Sequence, residues 1–259
     1  KTVFVRDYNL WVRDLASGKE KNLTKDGSID CPYGTVPTPF GEPSTSDVQA
    51  LWSPDSSKLF THQLDLKDVT SRSLVHQVPK QDTIRPQTSE YIAAYPHDEY
   101  IESYRLSTID VRTGTIQSAT KKSIPLSRFG AGFFSEDKFG WWAKDSVRVF
   151  FLDVSRGSKA VKVVEYDTRT SVNRLLFEET SDTFVKLSHD MFDPPLFRLL
   201  PDSDELIWFS ERSGWGHLYL YDLNTGQLIH SLSGGEWLIR NILDVDLDRR
   251  EVVVQTTGR

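Results

Sequence analysis

The chain is poor in the residues that build redox, metal and membrane sites. Cys31 is the single cysteine among 259 residues, which excludes an intrachain disulfide and a cysteine-based zinc centre. With one cysteine the redox compartment is not fixed, and localisation is left unknown. No apolar run approaches the roughly 18 residues that span a bilayer as a helix. Basic residues number 31 against 37 acidic ones, for a net charge of −6. No basic cluster follows a phosphate backbone, so nucleic acid is not an expected partner. The six histidines, at 62, 76, 97, 189, 217 and 230, stand singly, and no His-Glu-x-x-His occurs. Gly-x-Ser-x-Gly, a P-loop and a dinucleotide fingerprint are also missing. The expectation is a chain with no catalytic residue, no metal and no cofactor.

What the chain has in quantity is aromatic residues, 12% with seven Trp and nine Tyr, which suit a pleated, half-buried surface. Internal repetition follows. LWVRDLASG (from Leu10), YRLSTIDVRTG (from Tyr104), VKVVEYDTRTS (from Val161) and HLYLYDLNTG (from His217) share an alternating strand that ends in Asp and a turn. The carboxylate bonds backbone amides of the turn, and Gly accepts positive φ without a Cβ clash.

A second pattern precedes these strands: ALWSPDSSKLFTHQLD, GWWAKDSVRVFFLDV, RLLPDSDELIWFSER and DVDLDRREVVVQTT. Each has an apolar anchor, an Asp turn and an alternating strand. Their markers Asp55, Asp145, Asp202 and Asp248 are spaced 90, 57 and 46 residues apart, the last two near the size of a four-stranded propeller blade. Residues 67–104 make the first step long, as an elaborated blade or an excursion from one. The fold expected is an all-β propeller of four-stranded antiparallel blades. Three blades are complete, at about 48–120, 124–180 and 185–235, with the tail of one before and the start of another after. That reads as a fragment. The stretch after Cys31, PYGTVPTPFGEPSTSD, reads as an irregular loop because of its prolines and glycines.

Several clusters invite a chemical reading. HDEYIE, His97 to Glu102, holds three carboxylates and a histidine, but such a run is most simply a solvated loop. Glu178 and Glu179 end a strand and read as a charged edge. His62 alternates into a strand as a packed residue. The loop Gly34 to Asp47 is long enough to carry binding function. Glu211, Arg212, Trp215 and His217 crowd around two glycines and read as a structural corner, with Trp215 covering the core edge and its indole N–H bonded.

The run FSERSGWGHLYLYDLNTGQLIHSLSGGEW, from Phe209, resembles the propeller of the dipeptidyl peptidase IV branch of the prolyl oligopeptidase family. LWSPDSSKLFTHQLD, Tyr95-Pro96 in EYIAAYPHDE, and YDTRTSVNRLLFEET match in family order, and bacterial members are the nearest in character. The resemblance implies an eight-bladed propeller capping an α/β-hydrolase domain that would follow residue 259 and carry the Ser-Asp-His triad. It implies release of N-terminal dipeptides with proline-type specificity. In the family a paired-glutamate motif ahead of the WSP strand binds the substrate's free N-terminus. Here VPTPFGEPSTSDVQALWSP places Glu42 alone near that offset, with Asp47 as a further carboxylate. The partners implied are a peptide substrate and the hydrolase domain in cis, and unpaired strand edges leave self-association open. A stand-alone propeller that binds a peptide or protein is the alternative. A propeller glycosidase would need an acid pair that the sequence does not offer.

Overall fold

In a computed structural model, the described residues are all except 39–40, 45–47, 79–84, 126–138, 190–193 and 259, with the side chains of 36–44 also left out. The described residues form strands and turns with no helix. The chain divides into two compact units, Lys1–Leu126 and Ser127–Arg259.

In the first unit β1 (Thr2–Arg6), β2 (Asn9–Arg13) and β3 (Glu20–Asn22) form an antiparallel sheet. β4 (Val36–Thr38) and β5 (Gly41–Ser44) pair as a hairpin. The stretch read as an irregular loop therefore carries two short strands, since Pro37 and Pro43 each stand at a strand position that tolerates a missing N–H. A four-stranded sheet follows from β6 (Ala50–Trp52), β7 (Lys58–Asp65), β10 (Ser103–Asp110) and β11 (Ile116–Ser118). Between its second and third strands β8 (Ser71–His76) and β9 (Gln87–Ile92) leave as a separate hairpin, which accounts for the long first step. β5 lies against β9.

The second unit holds two complete meanders. One is β12 (Gly140–Trp142), β13 (Arg148–Val154), β14 (Ala160–Asp167) and β15 (Val172–Thr180). The other is β16 (Arg198–Leu200), β17 (Glu205–Ser210), β18 (His217–Asp222) and β19 (Leu228–Ser231). β20 (Leu238–Asp246) and β21 (Glu251–Thr257) pair after them.

The cores follow from period-2 alternation. Leu10 and Val12 of β2 meet Leu59, Ile109 and Val111 of the next sheet. Leu218 and Leu220 of β18 likewise meet Ile239 and Ile242 of β20. Each sheet thus buries a face against its neighbour within the unit, which is how blade-like repeats gain stability.

The repeated turns do the same job in each sheet. Asp14, Asp110, Asp167 and Asp222 each accept backbone N–H bonds from the residues that follow. The chain then turns through a left-handed residue: Gly18, Gly114, Ser171 and Gly226. Ser171 shows that the backbone alone does not demand glycine. At Gly226 packing does, because a Cβ would stand 2.3 Å from Leu176 O, whereas Gly18 faces open space. Gly226→Ala is expected to cost about 3 kcal/mol and Gly18→Ala about 1 kcal/mol. Denaturant midpoints of the two variants check this, and equal costs would remove the role given to Leu176.

Candidate functional site

The hairpin that carries Glu42 rises from a well-bonded base. Residues 31–34 run beside the far half of β7: Tyr33 bridges to Gln63, and Leu64 N–H and Leu66 N–H donate to Pro32 O and Asp30 O. The stems then close on each other, Gln49 N–H donating to Gly34 O at 2.8 Å, while Gly34 N–H donates to His62 O of β7 at 2.9 Å. Gly34 sits at φ +60, and a Cβ there would stand 3.0 Å from Leu10 Cδ2. Side chains add to this base. His62 is 1% exposed on β7, its Nε2 is 2.7 Å from Thr35 O, and its ring meets Tyr104 edge-on at 5.1 Å. Thr61 Oγ1 donates to Gln49 O at 2.7 Å. Burial holds the His62 pKa down at about 4, against the smaller opposing effect of its bond to Thr35. Glu42 lies on β5, and its side chain and Asp47 fall outside the described residues.

After β9, the acidic stretch His97 to Glu102 closes its own turns. Asp98 Oδ2 accepts from Tyr95 N–H at 2.7 Å, and Glu102 Oε1 accepts from Ala94 N–H at 3.1 Å. Arg72 of β8 donates to Ala93 O and Ala94 O and lies over the Tyr95 ring at 3.5 Å. Two of the three carboxylates are therefore bonded to backbone. No group of His, Cys, Asp and Glu among the described residues has the arrangement of a metal site. Cys31 is buried, and burial pushes its thiol pKa up, so it is a poor nucleophile.

In the second unit the cluster after β17 separates into distinct roles. His217 is buried; its Nδ1 is 3.0 Å from Ser233 Oγ, its Nε2 2.9 Å from Gly235 O, and Trp237 packs edge-on at 5.0 Å. Gly216 is required by Phe209, whose ring Cζ would stand 2.4 Å from a Cβ. Arg212 donates to Ser210 Oγ, Tyr221 OH and Glu179 Oε2 at 2.8, 2.8 and 2.9 Å, with its guanidinium 4.3 Å from the Tyr219 ring centroid. Burial alone would lower the Arg212 pKa, but the Tyr221 bond and the Glu179 charge outweigh it and hold the group charged. Glu211 approaches Lys186 at 3.6 Å. Trp215 does not cover the core edge: it is 41% exposed. The turn through Gly214, at φ +89, carries it outward, and Trp237 takes the covering position.

Glu179 also departs from the reading as a charged edge. Alternation on β15 leaves Glu178 exposed beside Lys162 and turns Glu179 toward the next sheet. There it accepts from Trp208 Nε1 at 2.6 Å and Ser210 Oγ at 2.5 Å, besides Arg212. The signal available in the sequence was phase: Leu176 faces inward and Phe177 packs on Tyr221, so residue 179 shares the Phe177 face.

Comparison with known proteins fits this architecture. The family model for the dipeptidyl peptidase IV (DPP IV) N-terminal region matches residues 1–259. A probable dipeptidyl peptidase 4 of Emericella nidulans is 25% identical over 260 residues, covering 98% of this chain and 33% of the relative. One from Aspergillus fumigatus is 26% identical over 258 residues, covering 98% and 32%. Among solved structures, Porphyromonas gingivalis dipeptidyl peptidase 4 superposes with a TM-score of 0.74 at 19% identity, covering 98% of this chain and 34% of that one. A putative dipeptidyl aminopeptidase IV from Bacteroides ovatus gives 0.64 at 19% identity, covering 95% and 36%. The chain spans about a third of the length of the relatives it matches. Its four-stranded sheets are antiparallel blades of a β-propeller, and the chain belongs to the dipeptidyl peptidase IV N-terminal region family.

Proposed function

We propose that this chain is the substrate-gating and recognition part of a serine exopeptidase that releases N-terminal dipeptides, with proline-type specificity. The chain itself is non-catalytic, and an α/β-hydrolase domain in cis supplies the triad. Family membership along the full chain supports this, as do relatives about three times as long. The observation that carries the recognition role is Glu42 on β5, in a hairpin whose base is bonded to β7 and which lies against β9. A carboxylate there meets the α-ammonium of a peptide by a charge-assisted hydrogen bond and fixes the register of cleavage. The propeller excludes folded proteins by size, leaving short or unstructured peptides.

The test is hydrolysis of a Gly-Pro or Ala-Pro chromogenic amide by the full-length protein, beside the N-acetylated substrate. Turnover of the free-amine form alone is expected, and Glu42→Gln should raise its KM about tenfold or more. Equal loss on both substrates would remove the amine-binding role of Glu42. Absence of turnover on either would favour a peptide-binding module instead.

A further inference from the structure

Two adjacent residues of β7 each reach one stem of the Glu42 hairpin. Thr61 Oγ1 donates to Gln49 O and His62 Nε2 to Thr35 O, both at 2.7 Å. Successive residues of a strand point to opposite faces, so the two side chains grip the stems from opposite sides. Thr35 and Gln49 are themselves buried. Buried stem carbonyls need partners, and these two side chains supply them. A leucine at 62 would pack beside Tyr104 equally well, but only a donor reaches Thr35 O. The neutral Nε2–H ring provides that donor.

We propose that Thr61 and His62 are positioning residues: they clamp the base of the β4–β5 hairpin and so set where it meets a peptide N-terminus. The proposal rests on the recognition role given above to Glu42. Main-chain bonds join the stems from Gln49 N–H to Gly34 O and through the β4–β5 ladder, and Gly34 N–H to His62 O ties one stem to β7. The side-chain bonds add Thr35 on one stem and Gln49 O on the other, and thereby fix the direction in which the hairpin leaves the sheet.

The test uses the full-length protein with Thr61→Val, His62→Leu and the conservative His62→Gln, read in two ways. The first is the rate of cleavage within residues 36–47 by dilute protease, at a temperature where circular dichroism shows each variant folded. The second is KM and kcat on a free-amine Gly-Pro chromogenic amide. Thr61→Val and His62→Leu should each raise cleavage and KM about fivefold, the equivalent of one lost hydrogen bond, with kcat within about twofold. His62→Gln keeps an N–H donor and should restore more than half of both effects. Unchanged cleavage would overturn the clamp. Faster cleavage with unchanged KM would overturn the positioning role. Should His62→Leu fail to fold, the isosteric Thr61→Val carries the same test. A wild-type protein without turnover would sink the exopeptidase reading and the positioning role together, while the protease assay would still decide the clamp.

Discussion

Replacing Glu179 with alanine is expected to lower stability by about 3 kcal/mol. The carboxylate, 13% exposed, lies one residue before the end of β15 and receives Trp208 Nε1, Ser210 Oγ and Arg212 Nη2 from the next blade. Removing it leaves an indole N–H and a hydroxyl without their acceptor, and a partly buried guanidinium that keeps Ser210 Oγ and Tyr221 OH but loses its carboxylate. Arg212 keeps 35% of its side chain exposed, so water screens part of the loss. That keeps the figure at the lower end of what breaking a buried pair costs, about 3–5 kcal/mol.

A control separates the network from simple packing. Phe177 stacks on Tyr221 at 3.9 Å and meets Trp208 edge-on at 5.4 Å, so the blades touch through aromatic rings as well. Arg212→Leu combined with Glu179→Leu removes both charges and retains apolar bulk, and should recover about half of the loss. Urea midpoints of the single and double variants measure the coupling. A loss below about 0.5 kcal/mol for Glu179→Ala, the size of an ordinary surface change, would mean that the rings alone join these blades.

Much of the architecture was legible because propeller blades repeat their turn chemistry. Asp14, Asp110, Asp167 and Asp222 bond turn amides in the same way, and each is visible in the sequence as Asp with Ser or Thr three residues on. The Asp55, Asp145, Asp202 and Asp248 turns likewise each join the first two strands of a sheet. Local rules fix such turns. The β4–β5 hairpin escaped because its prolines read as loop, although an edge strand can hold proline where no ladder N–H is needed.

The site residues were less legible, for a different reason. The role of Glu179 depends on which neighbour its face meets, which alternation gives only once the blade order is known. Trp215 shows the converse. Its sequence neighbours suggested a buried corner, but the left-handed Gly214 turns the indole outward and leaves Trp237 to pack on His217. His62 was readable as a packed strand residue, and its bond to Thr35 O was not, since 27 residues separate the partners.

Burial, which outweighs that bond, makes His62 the source of an acid-dependent loss of stability. Its pKa falls from 6.5 to about 4 in the folded protein, chiefly because burial disfavours the charged ring. The folded state therefore binds fewer protons than the unfolded state between these values, and stability rises with pH across that window. The contribution is complete above about pH 6.5 and is lost as pH falls toward 4. Between pH 7.5 and 4.5 the loss from this one group is roughly 2 kcal/mol. The turn carboxylate Asp55 acts lower. Ser53 and Ser57 hold its pKa down to about 2, so its contribution is lost below its ordinary value of 3.8. The two windows separate, which makes His62 assignable by experiment. Urea midpoints of the wild type should fall between pH 7.5 and 4.5 by about 2 kcal/mol more than those of His62→Gln, whose amide does not titrate. Equal falls would place the acid sensitivity elsewhere. A larger fall in the variant would mean that the histidine is protonated in the fold and holds Thr35 O as a cation.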